Sequence, residues 1–226
     1  MKAMILAAGR GERLRPLTDK LPKPLLPVAG KPLIEYTIES LVAAGFPEIV
    51  INLAYLGDAI ECALGDGARF GARLHYSYEG ETGLETAGGI VHALPLLGPD
   101  SFLVVNGDIL TNFPFRRLKA PISDPVYLVL VENPRHHPTG DFALERNRIR
   151  GHGNPMHTFS GIGVYSPDFF KDCKPGKFPL LPLFRTAIER AEVGGELYSG
   201  LWMDLGTVER YREAEEYVRQ GRLKRY

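Results

Sequence analysis

The sequence predicts an α/β fold built on a mainly parallel sheet. Short apolar runs recur through the first half of the chain, helical apolar spacings lie between them, and the first run breaks directly into a loop rich in glycine and arginine. Lys2–Ala7 is a continuous apolar run, the pattern of a strand buried on both faces, and Ile49–Leu53 is a second. Between them Ile34, Ile38, Leu41 and Val42 recur at helical spacing, with Pro32 near the start and Gly45 just past the end. The alternation continues with a helix near Asp58–Leu64, a strand over Arg73–Tyr78, a helix near Thr86–Leu94 and a strand over Phe102–Val105. Strands separated by helices in this way form a parallel sheet covered on both faces.

After Asp108 the texture changes. Val126–Val131 is another buried strand, but Asn133–Pro155 is rich in Pro, Gly, His and Asn, with strand-like pieces such as Phe142–Leu144. Thr158–Tyr165 returns to a strand pattern, so the second part is expected to form a smaller mixed sheet covering the first as a substrate lid. A polar helix over Val208–Arg219 follows, with Val208, Tyr211, Ala214 and Val218 on one face.

The 226 residues fit one domain. Lys plus Arg and Asp plus Glu both number 27, so no global field draws the chain to nucleic acid or to an anionic membrane, and small molecules are the expected partners. Cys62 and Cys173 make neither a disulfide framework nor a metal pair. The first apolar run is too short for a signal-peptide core and no later run approaches a membrane span, which predicts a cytoplasmic protein.

The opening loop carries the chemistry. From Met1 to Lys31 the cations Lys2, Arg10, Arg13, Arg15, Lys20, Lys23 and Lys31 face only Glu12 and Asp19, a local excess in a neutral chain that calls for an anion. Gly9 and Gly11 let backbone N–H groups approach it closely, and Arg13, Arg15 and Lys23 add full charges. The segment is not a dinucleotide fingerprint, since position 14 is Leu and no helix opens there, and no Gly-Lys-Ser/Thr closes it as a P-loop. Asp108 follows the apolar strand through Asn106-Gly107, at the sheet edge where α/β folds bind ligands. It reads as a Mg²⁺ ligand or as a turn-forming aspartate. Asp204, before Leu205-Gly206-Thr207, reads as a second ligand or as a helix cap. Gly88 and Gly89, where a helix begins, serve either close approach to a base or sugar or tight packing on the sheet. The six histidines form no metal set, and no Ser or Cys nucleophile signature is present.

Taken together, Leu6-Ala7-Ala8-Gly9-x-Gly11-x-Arg13-Leu14, Pro16-Leu17-Thr18, Pro22-Lys23-Pro24-Leu25, Asn106-Gly107-Asp108 and Trp202-Met203-Asp204-Leu205-Gly206-Thr207 resemble the signature blocks of sugar-1-phosphate nucleotidyltransferases, in order and spacing. Leu84–Gly89 and Thr158–Tyr165 most resemble the small uridylyltransferases of bacterial cell-wall recycling that act on N-acetylmuramate 1-phosphate. Guanylyltransferases acting on mannose 1-phosphate more often have Gly-Thr-Ala-Gly where this chain has Glu-Thr-Ala-Gly. The Glu-Lys-Pro block of many relatives, which touches the sugar and its phosphate, is replaced by Gly151-His152-Gly153-Asn154-Pro155-Met156.

The resemblance implies a Rossmann-like three-layer α/β/α fold with a mainly parallel mixed sheet of the nucleotide-diphospho-sugar transferase type and a small sugar-binding lid. Residues 1–112 form the nucleotide-binding half of one domain and 113–226 the sugar-binding half. It implies transfer of a nucleotidyl group from a triphosphate, UTP by the nearer resemblance, to the sugar phosphate, with release of pyrophosphate. Arg13 and Lys23 would be catalytic, and Leu6, Ala8, Gly9, Gly11, Arg13, Lys23, Glu79 and Gly83 would bind the nucleotide. Glu85, Asn106 and Gly140 would meet the sugar, with Asp108 and Asp204 on Mg²⁺. A lactyl carboxylate would want a cation, for which Arg146, Arg148 and Arg150 are candidates. No general base is needed, because a sugar phosphate is already ionised. Longer relatives carry a further C-terminal domain where this chain stops, and a monomer is expected. Alternatives are another hexose-1-phosphate transferase, a catalytically silent nucleotide-sugar sensor, and a glycosyltransferase. The last typically needs Asp-x-Asp, whereas Asp108 is followed by Ile109-Leu110.

Overall fold

The computed structural model describes residues 1–223. Its centre is a nine-stranded mixed sheet made of β1 (Ala3–Leu6), β4 (Glu48–Leu53), β5 (Arg73–Tyr78), β6 (Phe102–Asn106), β8 (Val126–Val131), β9 (Phe142–Glu145), β10 (Arg148–Arg150), β11 (Met156–Tyr165) and β12 (Val193–Tyr198). The spatial order is β5-β4-β1-β6-β11-β8-β12-β10-β9. Two short antiparallel pairs stand beside it, β2 (Pro27–Val28) with β3 (Lys31–Pro32), and β7 (Ile109–Thr111) with β13 (Trp202–Asp204).

The first four strands run parallel, with Ala3 opposite Ile49 on one side and Leu103 on the other. Alternate residues serve opposite faces of the sheet. Ala3, Ile5, Ile49, Ile51, Leu103 and Val105 pack on one face with Ile34, Ile38 and Leu41 of α1 (Leu33–Ala43) and Ile60 and Leu64 of α2 (Gly57–Leu64). Met4, Val50, Phe102 and Val104 pack on the other with Ala87, Ile90, Ala93 and Leu97 of α3 (Glu85–Leu97), and with Phe184, Ala187 and Ile188 of α4 (Leu181–Glu189). Each fully buried Ile or Leu contributes roughly 1.5–3 kcal/mol over leaving it in water. A charge at Ile38, fully buried in this layer, would therefore destabilise the packing of α1 on the sheet. The alternation predicted for the first half is thus realised, with α3 starting one residue earlier and ending three residues later than Thr86–Leu94.

The second half departs from expectation. Its strands do not form a separate smaller sheet laid over the first; they continue it. β11 pairs antiparallel with β6, β8 pairs with β11, and β12 adds parallel to β8. β10 and β9 follow, and β9 returns to pair with the start of β11, so these five strands close on one another. β11 manages both partnerships through a shift in register between Phe159 and Ile162. The last helix, α5 (Val208–Arg219), is capped by the Thr207 side chain and buries Ala214 with Val28, Leu33, Tyr36, Leu110 and Leu205. Among the described residues no helix is long and apolar enough to cross a membrane.

Candidate active site

β1, β4, β5 and β6 all end at the same edge of the sheet, and a cavity of about 710 Å³ opens there. This is the carboxyl edge at which open α/β sheets bind ligands, and the volume suits a nucleotide with part of a second substrate. Of the residues predicted to bind or react, Leu6, Ala8, Gly9, Gly11, Arg13, Lys23, Glu79, Gly83, Glu85, Asn106 and Asp108 line it.

The floor of the cavity begins at the loop after β1. Gly11 adopts φ 68°, which turns the chain into a single 3₁₀ turn over Glu12–Leu14, where no helix is predicted from the sequence. The Thr18 hydroxyl and the Leu14 N–H both donate to the Gly11 carbonyl, at 2.8 and 2.9 Å, so the turn is closed without using the Gly9 N–H. Lys23 stands at the start of a second 3₁₀ turn, Lys23–Leu25, and is 92% buried except for its path into the cavity, its exposure being 8%. Its Nζ lies 2.6 Å from Asp108 Oδ2. A buried ammonium needs such a partner, and the pair fixes the lysine between the glycine loop and the end of β6.

A second set of contacts ties the ends of three strands together. The Ala7 N–H donates to Asn52 Oδ1 at 2.7 Å, Asn52 Nδ2 donates to Glu79 Oε1 at 2.6 Å, and the Leu84 N–H donates to Glu79 Oε2 at 2.7 Å. Both Asn52 and Glu79 are buried, at 3% and 8% exposure. Glu79 is thus buried at the cavity wall, each of its oxygens accepts a hydrogen bond from the protein, and the residue sets the position of Gly83-Leu84. Asn52 was not among the expected residues, although a lone amide inside the apolar run Ile-Val-Ile-Asn-Leu is a readable signal.

The two open readings of Gly88 and Gly89 resolve in favour of packing. A Cβ on Gly88 would come within 2.2 Å of the Gly176 carbonyl oxygen, and one on Gly89 within 2.2 Å of Glu79 Oε1. Neither glycine lines the cavity. Glu85, the first residue of α3, does line it, and holds φ 59°, a left-handed conformation rare for a residue with a side chain.

The sheet brings Asp204 beside Asp108 without placing it in the cavity wall. Asp204 is paired in register with Ile109, and the Leu205 N–H donates to the Asp108 carbonyl at 2.8 Å. Gly206 lines the cavity in its place. The Asp204 carboxylate is held by Arg210 and by His136 Nε2 at 2.9 Å. Gly140 is not brought to the cavity either. It turns the chain before β9 at φ 66°, against Asn133 and the His157 backbone. The three arginines nominated for a carboxylate line a different cavity with Glu145; Arg148 is paired with Asp124, and Arg150 lies 3.4 Å from Glu145. One cavity residue had no signal in the sequence: Lys177, in the segment before α4.

A glycine turn with unused N–H groups, two cations reaching into it and a carboxylate at the strand end define a class, an α/β protein built to handle nucleotide phosphates. Residues 2–140 match the nucleotidyl transferase family, and the chain belongs to that family. It is 52% identical over 226 aligned positions to the N-acetylmuramate alpha-1-phosphate uridylyltransferase of Neisseria meningitidis serogroup B, an alignment covering 95% of this chain and 97% of that protein. It is 37% identical over 221 positions to the protein of the same name from Caulobacter vibrioides, covering 90% and 91% of the two chains. Its fold matches a Bacillus anthracis crystal structure described as a glucose-1-phosphate thymidylyltransferase, with a TM-score of 0.85 at 24% identity over 97% and 95% of the chains.

Proposed function

We propose that the protein transfers the uridylyl group of UTP to N-acetylmuramate α-1-phosphate, releasing pyrophosphate. The observation that carries the reading is the gathering of the Gly9–Arg13 turn, Lys23 and Asp108 into one cavity at the sheet edge. The substrates come from the two uridylyltransferases to which the chain is 52% and 37% identical.

An oxygen of the sugar phosphate attacks the α-phosphorus of UTP; one P–O bond forms, the bond to the bridging oxygen breaks, and pyrophosphate carries away the electron pair. Such a reaction needs positioning and charge neutralisation more than covalent help. The Gly9–Gly11 backbone and Arg13 hold the β and γ phosphates and take up the charge that develops on the leaving group. Lys23 lies where it reduces repulsion between the incoming phosphate and the α-phosphate. The base rests against the Ala8 backbone and the segment from Glu79 to Gly83, which the Asn52–Glu79 contacts hold in position. Asp108, in the turn after β6, and Asp204, paired beside Ile109, would hold Mg²⁺ together with the substrate phosphates; without the ion their carboxylates are held by Lys23 and by Arg210 with His136. When bound, the ion supplies further neutralisation of the phosphates.

Pyrophosphate release measured for UTP, GTP, CTP and dTTP against several sugar 1-phosphates tests the reading. The largest kcat/KM is expected for UTP with N-acetylmuramate 1-phosphate; a preference for GTP with mannose 1-phosphate would reject the substrates, and binding without turnover throughout would restore the sensor reading. Lys23→Ala is expected to lower turnover about 10²–10³-fold, near 3–4 kcal/mol, with little change in Tm because Asp108 is solvated enough to stand alone. Asp108→Ala should abolish turnover, and near-normal rates in either variant would remove that residue from the reaction.

A further inference from the structure

We infer that Lys177 is the residue that selects for a carboxylate on the sugar: its ammonium meets the lactyl group that distinguishes N-acetylmuramate 1-phosphate from N-acetylglucosamine 1-phosphate. The inference rests on the acceptor proposed above and adds the residue that reads it.

Lys177 is held at the cavity by its neighbours in the chain. The Phe178 N–H donates to the Leu84 carbonyl and the Gly88 N–H donates to the Phe178 carbonyl, each at 3.2 Å. On the other side of the lysine, the Gly176 carbonyl sits in the space that a side chain at position 88 would fill. The backbone on both sides of Lys177 is therefore pinned to the start of α3, and Lys177, an exposed residue, lines the same cavity as Glu85, which is expected to meet the sugar.

Lys177 is also uncommitted. It has no ion pair or hydrogen bond among the described residues, whereas Lys23 is bound to Asp108, and Arg10 lies near Glu12 and over the Tyr55 ring. Arg13 belongs to the turn that takes the triphosphate. The phosphates of both substrates are thus answered by the loop after β1 and by Lys23. The carboxylate is the remaining negative group on the acceptor, and Lys177 is the cavity cation that comes from outside that loop. The arginines at 146, 148 and 150 line another cavity and do not compete for it.

The test uses the full enzyme with UTP and two acceptors that differ only in the lactyl ether, N-acetylmuramate 1-phosphate and N-acetylglucosamine 1-phosphate. Each is read as KM, or as a competitive inhibition constant where turnover is slow. Lys177→Gln should weaken the carboxylate-bearing acceptor about 10- to 100-fold, the worth of one charge-assisted hydrogen bond, and change the other acceptor and UTP less than twofold. Lys177→Arg should recover most of the loss. Equal weakening of both acceptors, or none, overturns the inference while leaving the reaction intact. A wild-type enzyme inactive with the carboxylate-bearing acceptor overturns the acceptor assignment, and this inference with it.

Discussion

Two glycine-rich segments border the cavity and use the missing side chain in opposite ways. At Gly9 nothing lies within 4 Å of the place a Cβ would occupy, so the space is open for a ligand. At Gly88 and Gly89 the space is already full, taken by the Gly176 carbonyl and by the Glu79 carboxylate. One segment leaves its space open at the cavity, as the proposed phosphate contact requires, and the other lets the protein close on itself. In sequence they look alike, because a glycine records that something comes close and not what it is.

Alanine at each position separates the two uses. Gly89→Ala drives a methyl group into Glu79, which must shift and leave Asn52 or the Leu84 N–H without its partner; urea denaturation should show a loss of about 2–5 kcal/mol. Gly9→Ala meets nothing, and its φ lies outside the left-handed region, so its stability should stay within about 0.5 kcal/mol of wild type while KM for UTP rises. Equal destabilisation by the two substitutions would break the distinction.

The packed segment depends on Glu79 having both oxygens engaged, and this can be tested by exchanging amide and acid. Asn52→Asp sets two carboxylates against each other, and Glu79→Gln sets two amide donors against each other if its carbonyl keeps the Leu84 N–H. Each should cost about 1–3 kcal/mol. In the double variant the carboxylate at position 52 accepts from the Ala7 N–H and from the new amide, whose carbonyl still accepts from Leu84. A double-mutant cycle should then return at least half of the summed loss, a coupling of about 1–3 kcal/mol. Strict additivity would mean that Glu79 holds Leu84 without help from Asn52.

The same contrast explains what could be read beforehand. β1, β4, β6 and β8 were legible because aliphatic residues dominate strands buried on both faces. β12, Val-Gly-Gly-Glu-Leu-Tyr, was not: the Asp124 carboxylate and Tyr127 crowd the place where a side chain at Gly194 would start, and Ile149 and the Leu128 carbonyl crowd that at Gly195, a tertiary fact that erases the apolar signature. In the site, the phosphate loop was legible because cations crowd into one short segment. Lys177 was not, since what places it is a pair of backbone hydrogen bonds to residues some ninety positions away. Gly140 lies outside the cavity, which its sequence could not show, since a glycine in a turn between strands looks the same whether or not a cavity lies beside it.

The smallest expected effect lies where the two segments meet, at Glu85. Its left-handed backbone is a conformation glycine adopts freely and a residue with a Cβ adopts at a cost of about 1–2 kcal/mol. Glu85→Gly removes that strain but gives the unfolded chain more freedom, so the two nearly offset and stability should change by no more than about 1 kcal/mol, on the stabilising side. KM for the sugar phosphate should rise several-fold with KM for UTP unchanged. If stability falls instead and neither KM moves, the glutamate is a packing residue, and Glu85 moves from the ligand side of the comparison to the side of Gly88 and Gly89.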